Sequence, residues 1–130
     1  VQVDLIKICA VGAGGFLGAT SRYLLSIFVQ SKFPSSEFPY GTFVVNIMGC
    51  LLIGLLIALF GLKEWGNEEL RLFIFVGLLG GFTTFSTFTN ESYLLFRDGE
   101  LLFGLVNIAG QVLIGLLFVW IGYSLTKIFS

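Results

Sequence analysis

Residues 80–89 read Gly80-Gly81-Phe82-Thr83-Thr84-Phe85-Ser86-Thr87-Phe88-Thr89, inside a stretch otherwise apolar enough to cross a membrane. Paired glycines, five hydroxyl residues and a phenylalanine at every third position are costly in lipid. Irregular backbone survives at membrane depth only where it is buried in protein or lines a watery or ion-filled cavity. The stretch is therefore a candidate ion or substrate site. Gly80-Gly81 predicts a helix break there, freeing carbonyls at the glycines and N–H groups just beyond. Discontinuous helices with such exposed ends are how membrane proteins build ion sites. A cluster of freed carbonyls suits a small hard cation such as Na⁺.

The chain around this stretch is 130 residues long, 56% hydrophobic and 12% charged, with a mean hydropathy of +0.97. A soluble domain of this size has too little interior to hide so much apolar surface. The composition is that of an integral membrane protein with a single domain. The formal charge of −1 and the scattering of the 21 aromatics among aliphatic residues leave no basic patch for nucleic acid. Histidine is absent, which removes the usual proton shuttle and the commonest metal ligand. Cys9 and Cys50 stand in apolar runs and read as small buried hydrophobes. Asp4 and Lys7 open the first apolar run, and no cleavage-like stretch follows, so a signal peptide is not expected.

Four spans are expected, at about residues 5–29, 41–62, 70–96 and 101–128, each meeting the roughly 20 apolar residues a spanning helix needs. Short connections make neighbouring spans antiparallel. Tyr40, Trp65, Tyr93 and Tyr123 lie near span ends, where amphipathic rings anchor at the interface. Gly14, Gly15 and Gly18 in the first span, and Gly77, Gly80 and Gly81 in the third, permit close helix approach, within one chain or between chains.

With four spans, both termini and the second loop share one side, carrying Lys7, Lys63, Arg71 and Lys127; the other side carries Lys32, Arg97 and, if it reaches there, Arg22. That is almost no bias, although positive-charge asymmetry is what normally fixes orientation. Two readings stay open: weak topology signals, or dual topology with copies inserted both ways and paired antiparallel. A four-helix bundle encloses little, so association is the expectation.

Each polar group inside the membrane needs a partner or a purpose. Asn46, early in the second span, offers two donors and one acceptor; it either bonds a neighbouring helix or donates to a permeating anion. Any one of Thr83, Thr84, Ser86, Thr87 and Thr89 is explained by bonding back to its own helix, but five together are harder to dismiss. The stripe Phe82, Phe85, Phe88 is either packing or a row of electropositive ring edges that attracts an anion without trapping it. Arg22 either snorkels or draws an anion into a vestibule. Asn107 and Gln111, one turn apart on the fourth span, either line a polar track or bond a neighbour. Glu91 is placed at a pore mouth. These residues form no nucleophilic triad, metal-ligand set or phosphate loop, so an enzyme is not expected.

Three blocks carry a resemblance. They are Gly14-Gly15-Phe16-Leu17-Gly18-Ala19-Thr20-Ser21-Arg22-Tyr23, Gly41-Thr42-Phe43-Val44-Val45-Asn46-Ile47-Met48-Gly49, and Gly77 through Phe88. Together they closely resemble the Fluc family of fluoride channels, and the likeness spans all four helices. The resemblance implies an all-α membrane protein, an antiparallel dual-topology homodimer in a bacterial inner (plasma) membrane, two fluoride pores, and a structural Na⁺ at the dimer centre. It implies that Na⁺ is held by the main-chain carbonyls of Gly80 and Thr83, and that Phe85 and Phe88 line the pore. It further implies a pore-facing Asn46, a vestibule Arg22, a hydroxyl rail of Ser86 with Thr87 or Thr84, and a fourth-helix polar track at Asn107 and Gln111.

Two other readings compete with a channel. A four-helix, proton-coupled multidrug exporter needs a carboxylate deep in the membrane, and Glu91, the nearest, sits toward a span end. A non-transporting structural subunit would use the glycines and hydroxyls for packing alone.

Overall fold

A computed structural model describes residues 4–63 and 66–128, without the side chains of residues 62 and 63. Trp65, expected as an interfacial anchor, lies outside the described residues. Among the described residues the regular elements are all helical: α1 (Leu5–Gln30), α2 (Tyr40–Lys63), α3 (Glu68–Arg71), a π-helical segment (Leu72–Leu79), α4 (Gly80–Phe82), α5 (Phe85–Arg97) and α6 (Leu101–Ile128). From α3 to α5 the chain forms one composite span, Glu68–Arg97, so among the described residues four stretches are long and apolar enough to cross a membrane. The expected spans agree with these to within two residues at each end.

Local chemistry sets the ends. Asp4 caps α1 by accepting from the Ile6 N–H at 2.9 Å, and Asn67 caps α3 by accepting from Leu70 N–H at 3.0 Å. Between α1 and α2, Gln30 closes the proline-bearing link, donating to Phe38 O and accepting from Gly41 N–H. The turn from α5 to α6 is a Schellman motif: Gly99 adopts φ +86°, with Glu100 N–H on Leu95 O at 2.8 Å and Gly99 N–H on Phe96 O.

The main packing pairs are α2 with α6, and α1 with the π-helical segment and α4. Glycine makes the second of these possible. A methyl group added at Gly77 would stand 2.7 Å from Val11 O, and one at Gly81 would stand 2.8 Å from Gly15 O; Gly14 and Gly18 press on Phe73 O and Leu78 O. Four of the six glycines singled out thus serve contact inside one chain. Gly15 faces open space and Gly80 meets only ordinary contact. Lys7 bonds Glu68 at 2.6 Å, which puts the start of α1 and the second loop at one end of the bundle, as four antiparallel spans require.

Two expectations are corrected. Gly80 and Gly81 are helical, and the break falls three residues later, at Thr83 (φ −85°, ψ 159°) and Thr84 (φ −150°, ψ 115°). The glycines serve close contact on the Gly81 side, while the break forms where Asn46 supplies replacement hydrogen bonds. Cys9 is exposed on α1 rather than buried. Cys50 is half-buried.

Candidate functional site

The break has two chemically distinct ends. On the α4 side, Leu79 O accepts from both the N–H and the hydroxyl of Thr83, each at 3.0 Å. The Thr84 N–H leaves the helical ladder, which would take it to Gly80 O, and donates instead to Asn46 Oδ1 at 2.9 Å. Thr83 O receives Arg22 Nη1 at 3.3 Å. On the α5 side, Thr84 caps the new helix: its hydroxyl oxygen accepts from Thr87 N–H at 3.3 Å, and its hydroxyl donates to Thr87 Oγ1 at 3.0 Å. A carbonyl-rich end thus faces an N–H-rich end across two extended residues, with partial charges of opposite sign.

Asn46 on α2 bridges the gap. Its Nδ2 donates to Thr84 O at 3.1 Å and to Gln111 Oε1 at 2.7 Å. From there bonds run on through α6 and α5. Gln111 Nε2 donates to Asn107 Oδ1 at 2.9 Å, Asn107 Nδ2 to Ser92 Oγ at 2.9 Å, and the Ser92 hydroxyl to Phe88 O at 2.8 Å. Nearby, Thr42 donates its hydroxyl to Glu91 Oε1 at 2.7 Å, and Glu91 Oε2 is buried without a hydrogen-bond partner among the described residues.

Two recesses flank this arrangement. One, of about 390 Å³, is walled by Asn46, Gly80, Thr83, Phe85, Phe88 and Gln111, among others. The second, of about 220 Å³, is lined by Arg22, Tyr23, Ser26, Thr42, Thr84 and Thr87 together with Ala19. Thr84 borders both, so the break forms the partition between an aromatic–amide side and a hydroxyl–guanidinium side.

Most of the expected site residues therefore converge on Thr83-Thr84. The phenylalanines divide across the break. Phe82 is buried against the bundle at 7% exposure, Phe85 is 76% exposed, and Phe88 is 8% exposed, with the Phe85 and Phe88 rings 5.7 Å apart. Arg22 turns inward to Thr83 rather than outward along the helix. Asn107 is wholly buried as a link in the relay, and Gln111 alone of that pair borders the larger recess. Ser86 is exposed and lines neither recess.

Ser92 and Thr42 were not foreseen. Ser92 had a legible signal: it and Asn107 flank Gly99 at nearly equal separations, as facing residues of a tight helical hairpin do. Thr42 had none, because its partner Glu91 lies on a helix whose register against α2 is set by the break.

A family model described as "CrcB-like protein, Camphor Resistance (CrcB)" matches residues 9–123. The chain is 46% identical over 124 residues to the "Fluoride-specific ion channel FluC" of Ruminiclostridium cellulolyticum, covering 95% of each. It is 44% identical over 118 residues to the protein of that name from Elusimicrobium minutum, covering 91% of each, and 38% identical over the full length of both to that from Prosthecochloris aestuarii. On this likeness, which takes in both faces of the break and the relay behind it, the chain belongs to the CrcB (FluC) family.

Proposed function

We propose that the protein is a passive fluoride-selective channel, working as an antiparallel homodimer with two pores and a Na⁺ ion at its centre. The observation that carries the reading is the Asn46 amide fixed to Thr84 beside Phe85 and Phe88, in a chain whose relatives are named fluoride-specific channels. Fluoride is small and strongly hydrated, so it sheds water only where donors replace it. Asn46, the Thr87 hydroxyl and the opening N–H groups of α5 are such donors, and Gln111 borders the same recess as Asn46. Phenylalanine edges add attraction weak enough to let the ion leave. Arg22 concentrates anions in the smaller recess, and Ser86, exposed on α5, continues the hydroxyl rail toward the second copy. Chloride, being larger, is excluded by a narrow passage.

Several observations support the dimer. Phe85 and Gly80 are exposed on the open side of the larger recess, where a second copy would close it. The even distribution of Lys and Arg suits copies inserted both ways. The residues also fit Na⁺: Gly80 O has lost the Thr84 N–H, and Thr83 O takes only a long contact from Arg22. The same two carbonyls from each copy would surround the cation with oxygens, and it would supply fixed positive charge at the dimer centre. In a bacterial inner membrane, the negative-inside potential drives the anion out of the cytoplasm without energy input.

Fluoride efflux from proteoliposomes, with valinomycin to clear the K⁺ potential and a parallel chloride run, tests the proposal. Fast fluoride loss with silent chloride is expected. No fluoride flux from correctly inserted protein would refute it.

A further inference from the structure

The chain of side-chain hydrogen bonds behind the break has a direction, and both of its ends force it. The Thr84 N–H only donates and its carbonyl only accepts, so Asn46 turns Oδ1 to the first and Nδ2 to the second. The other Nδ2 hydrogen then meets Gln111, which must present oxygen, at 2.7 Å. Gln111 Nε2 is left to donate to Asn107, Asn107 to Ser92, and Ser92 to the Phe88 carbonyl, which again only accepts. Asn107 is 0% and Ser92 4% exposed, so water does not reach the middle links to reorient them.

A consequence concerns the donor at the recess. Both Asn46 N–H groups are spent, one on Thr84 O and one on Gln111 Oε1. We infer that Gln111 is a displaceable plug, its Oε1 occupying the Asn46 proton an anion needs, and that Asn107 is the positioning residue that holds it there. The inference rests on the channel reading. An anion in the larger recess, which Asn46, Gln111 and Phe85 line, competes with a neutral carbonyl oxygen for one proton. A charged acceptor makes the stronger bond, so the ion wins the exchange. The bond surrendered weakens net binding by about two- to tenfold, the usual worth of a neutral hydrogen bond, and so speeds release. Gln111 has the rotatable length to swing aside while Nε2 stays on Asn107. Its amide closes on Asn46 again once the ion has passed.

The test is fluoride flux against fluoride concentration in proteoliposomes, for the unaltered protein, Gln111→Met and Asn107→Leu. Gln111→Met keeps the side chain's length and removes the competing oxygen, so half-saturating fluoride should fall about two- to tenfold. Asn107→Leu releases the anchor and should move it the same way by less. A purely structural role would lower maximal flux and leave half-saturation in place. If Asn107→Leu fails to insert, Gln111→Met decides alone, and an unchanged or raised half-saturation there overturns the inference. A second readout does not need flux: in detergent-solubilised protein labelled with ¹⁵N-glutamine, fluoride and not chloride should shift the Gln111 side-chain amide signals, assigned by their loss in Gln111→Met. Absence of flux from the unaltered protein would refute the channel reading, and this inference would then stand or fall on those signals. Their indifference to fluoride would overturn it.

Discussion

Asn46 holds the backbone of Thr84 at both of its polar groups, accepting from the N–H at 2.9 Å and donating to the carbonyl at 3.1 Å. One side chain from α2 therefore supplies what a neighbouring strand would supply in a sheet, at the point where the Thr84 N–H leaves the helical ladder. Leaving such buried backbone groups unpaired costs about 1–3 kcal/mol each. Asn46→Leu should lower thermal stability in detergent by an amount of that order and reduce fluoride flux at least about tenfold, since the donor and the geometry of the break go together. Asn46→Asp keeps the acceptor for Thr84 N–H but removes the donor, and should retain more stability than Leu while still losing flux. Equal flux in all three proteins would separate Asn46 from the ion path.

Phe85 and Phe88 are neighbours with opposite surroundings. Phe85 is 76% exposed at the open side of the recess, while Phe88 is 8% exposed against the bundle. Phe85→Ile should abolish most fluoride flux and lower the melting temperature of the solubilised protein far less than Phe88→Ala does. Phe88→Ala should lose flux and also about 3–5 kcal/mol of stability, as buried aromatic truncations do. A large loss of stability in Phe85→Ile without a second copy present would contradict the exposed placement of its ring.

Gly18 sits where α1 presses on the backbone at Leu78 and Phe82, immediately before the break. A side chain there pushes α1 away from α4 and so withdraws Arg22, one turn on, from Thr83. Gly18→Val should give aggregated or degraded protein on size exclusion. Gly12→Val on the same helix, where an added Cβ meets nothing within 4 Å, should give monodisperse protein. Two well-behaved variants would mean that the α1 contact is not tight.

Four spans were legible because helix length and apolar content are properties of a segment by itself, and lipid demands both. The broken third span was legible for the same reason: residues 80–89 carry more polarity than one lipid-facing helix accommodates. Its position was not. Gly80-Gly81 reads as the weak point by propensity, yet Asn46 lies far off in sequence, and its two bonds to Thr84 move the break to where they can be made. The glycines then answer to α1, another distant partner. Likewise Asn107 and Gln111 were visible as a one-turn pair, but their different burial depends on how α6 rotates against α5, which no local pattern encodes.

Removal of Na⁺ tests the cation separately from the anion path. Gly80 O, without the Thr84 N–H, and Thr83 O are the carbonyls proposed to hold it. Purification with N-methylglucamine in place of Na⁺ should lower both the dimer fraction and the fluoride flux, and added Na⁺ should restore them. Arg22→Gln removes a positive charge that contacts Thr83 O and should lower the Na⁺ concentration required for that recovery. Protein that remains dimeric and active without Na⁺ would rule out a structural ion there.

Orientation is open to a direct measurement. The Lys7–Glu68 pair fixes which loops share an end of the bundle; by that division Lys7, Lys63, Arg71 and Lys127 stand against Lys32 and Arg97, with Arg22 turned inward at the break. With so little asymmetry the chain should insert both ways. In a background lacking Cys9 and Cys50, a cysteine at exposed Ser31 should react with a membrane-impermeant maleimide from either face of the membrane, in comparable amounts. Ser35→Lys with Ser36→Lys adds positive charge to that one loop, and should shift labelling toward the cytoplasmic face, since positive loops stay inside. Such single-orientation protein should lose flux when expressed alone and regain it when co-expressed with a copy biased the opposite way by lysines at the termini. Labelling of the unbiased protein from one face only would exclude the antiparallel dimer.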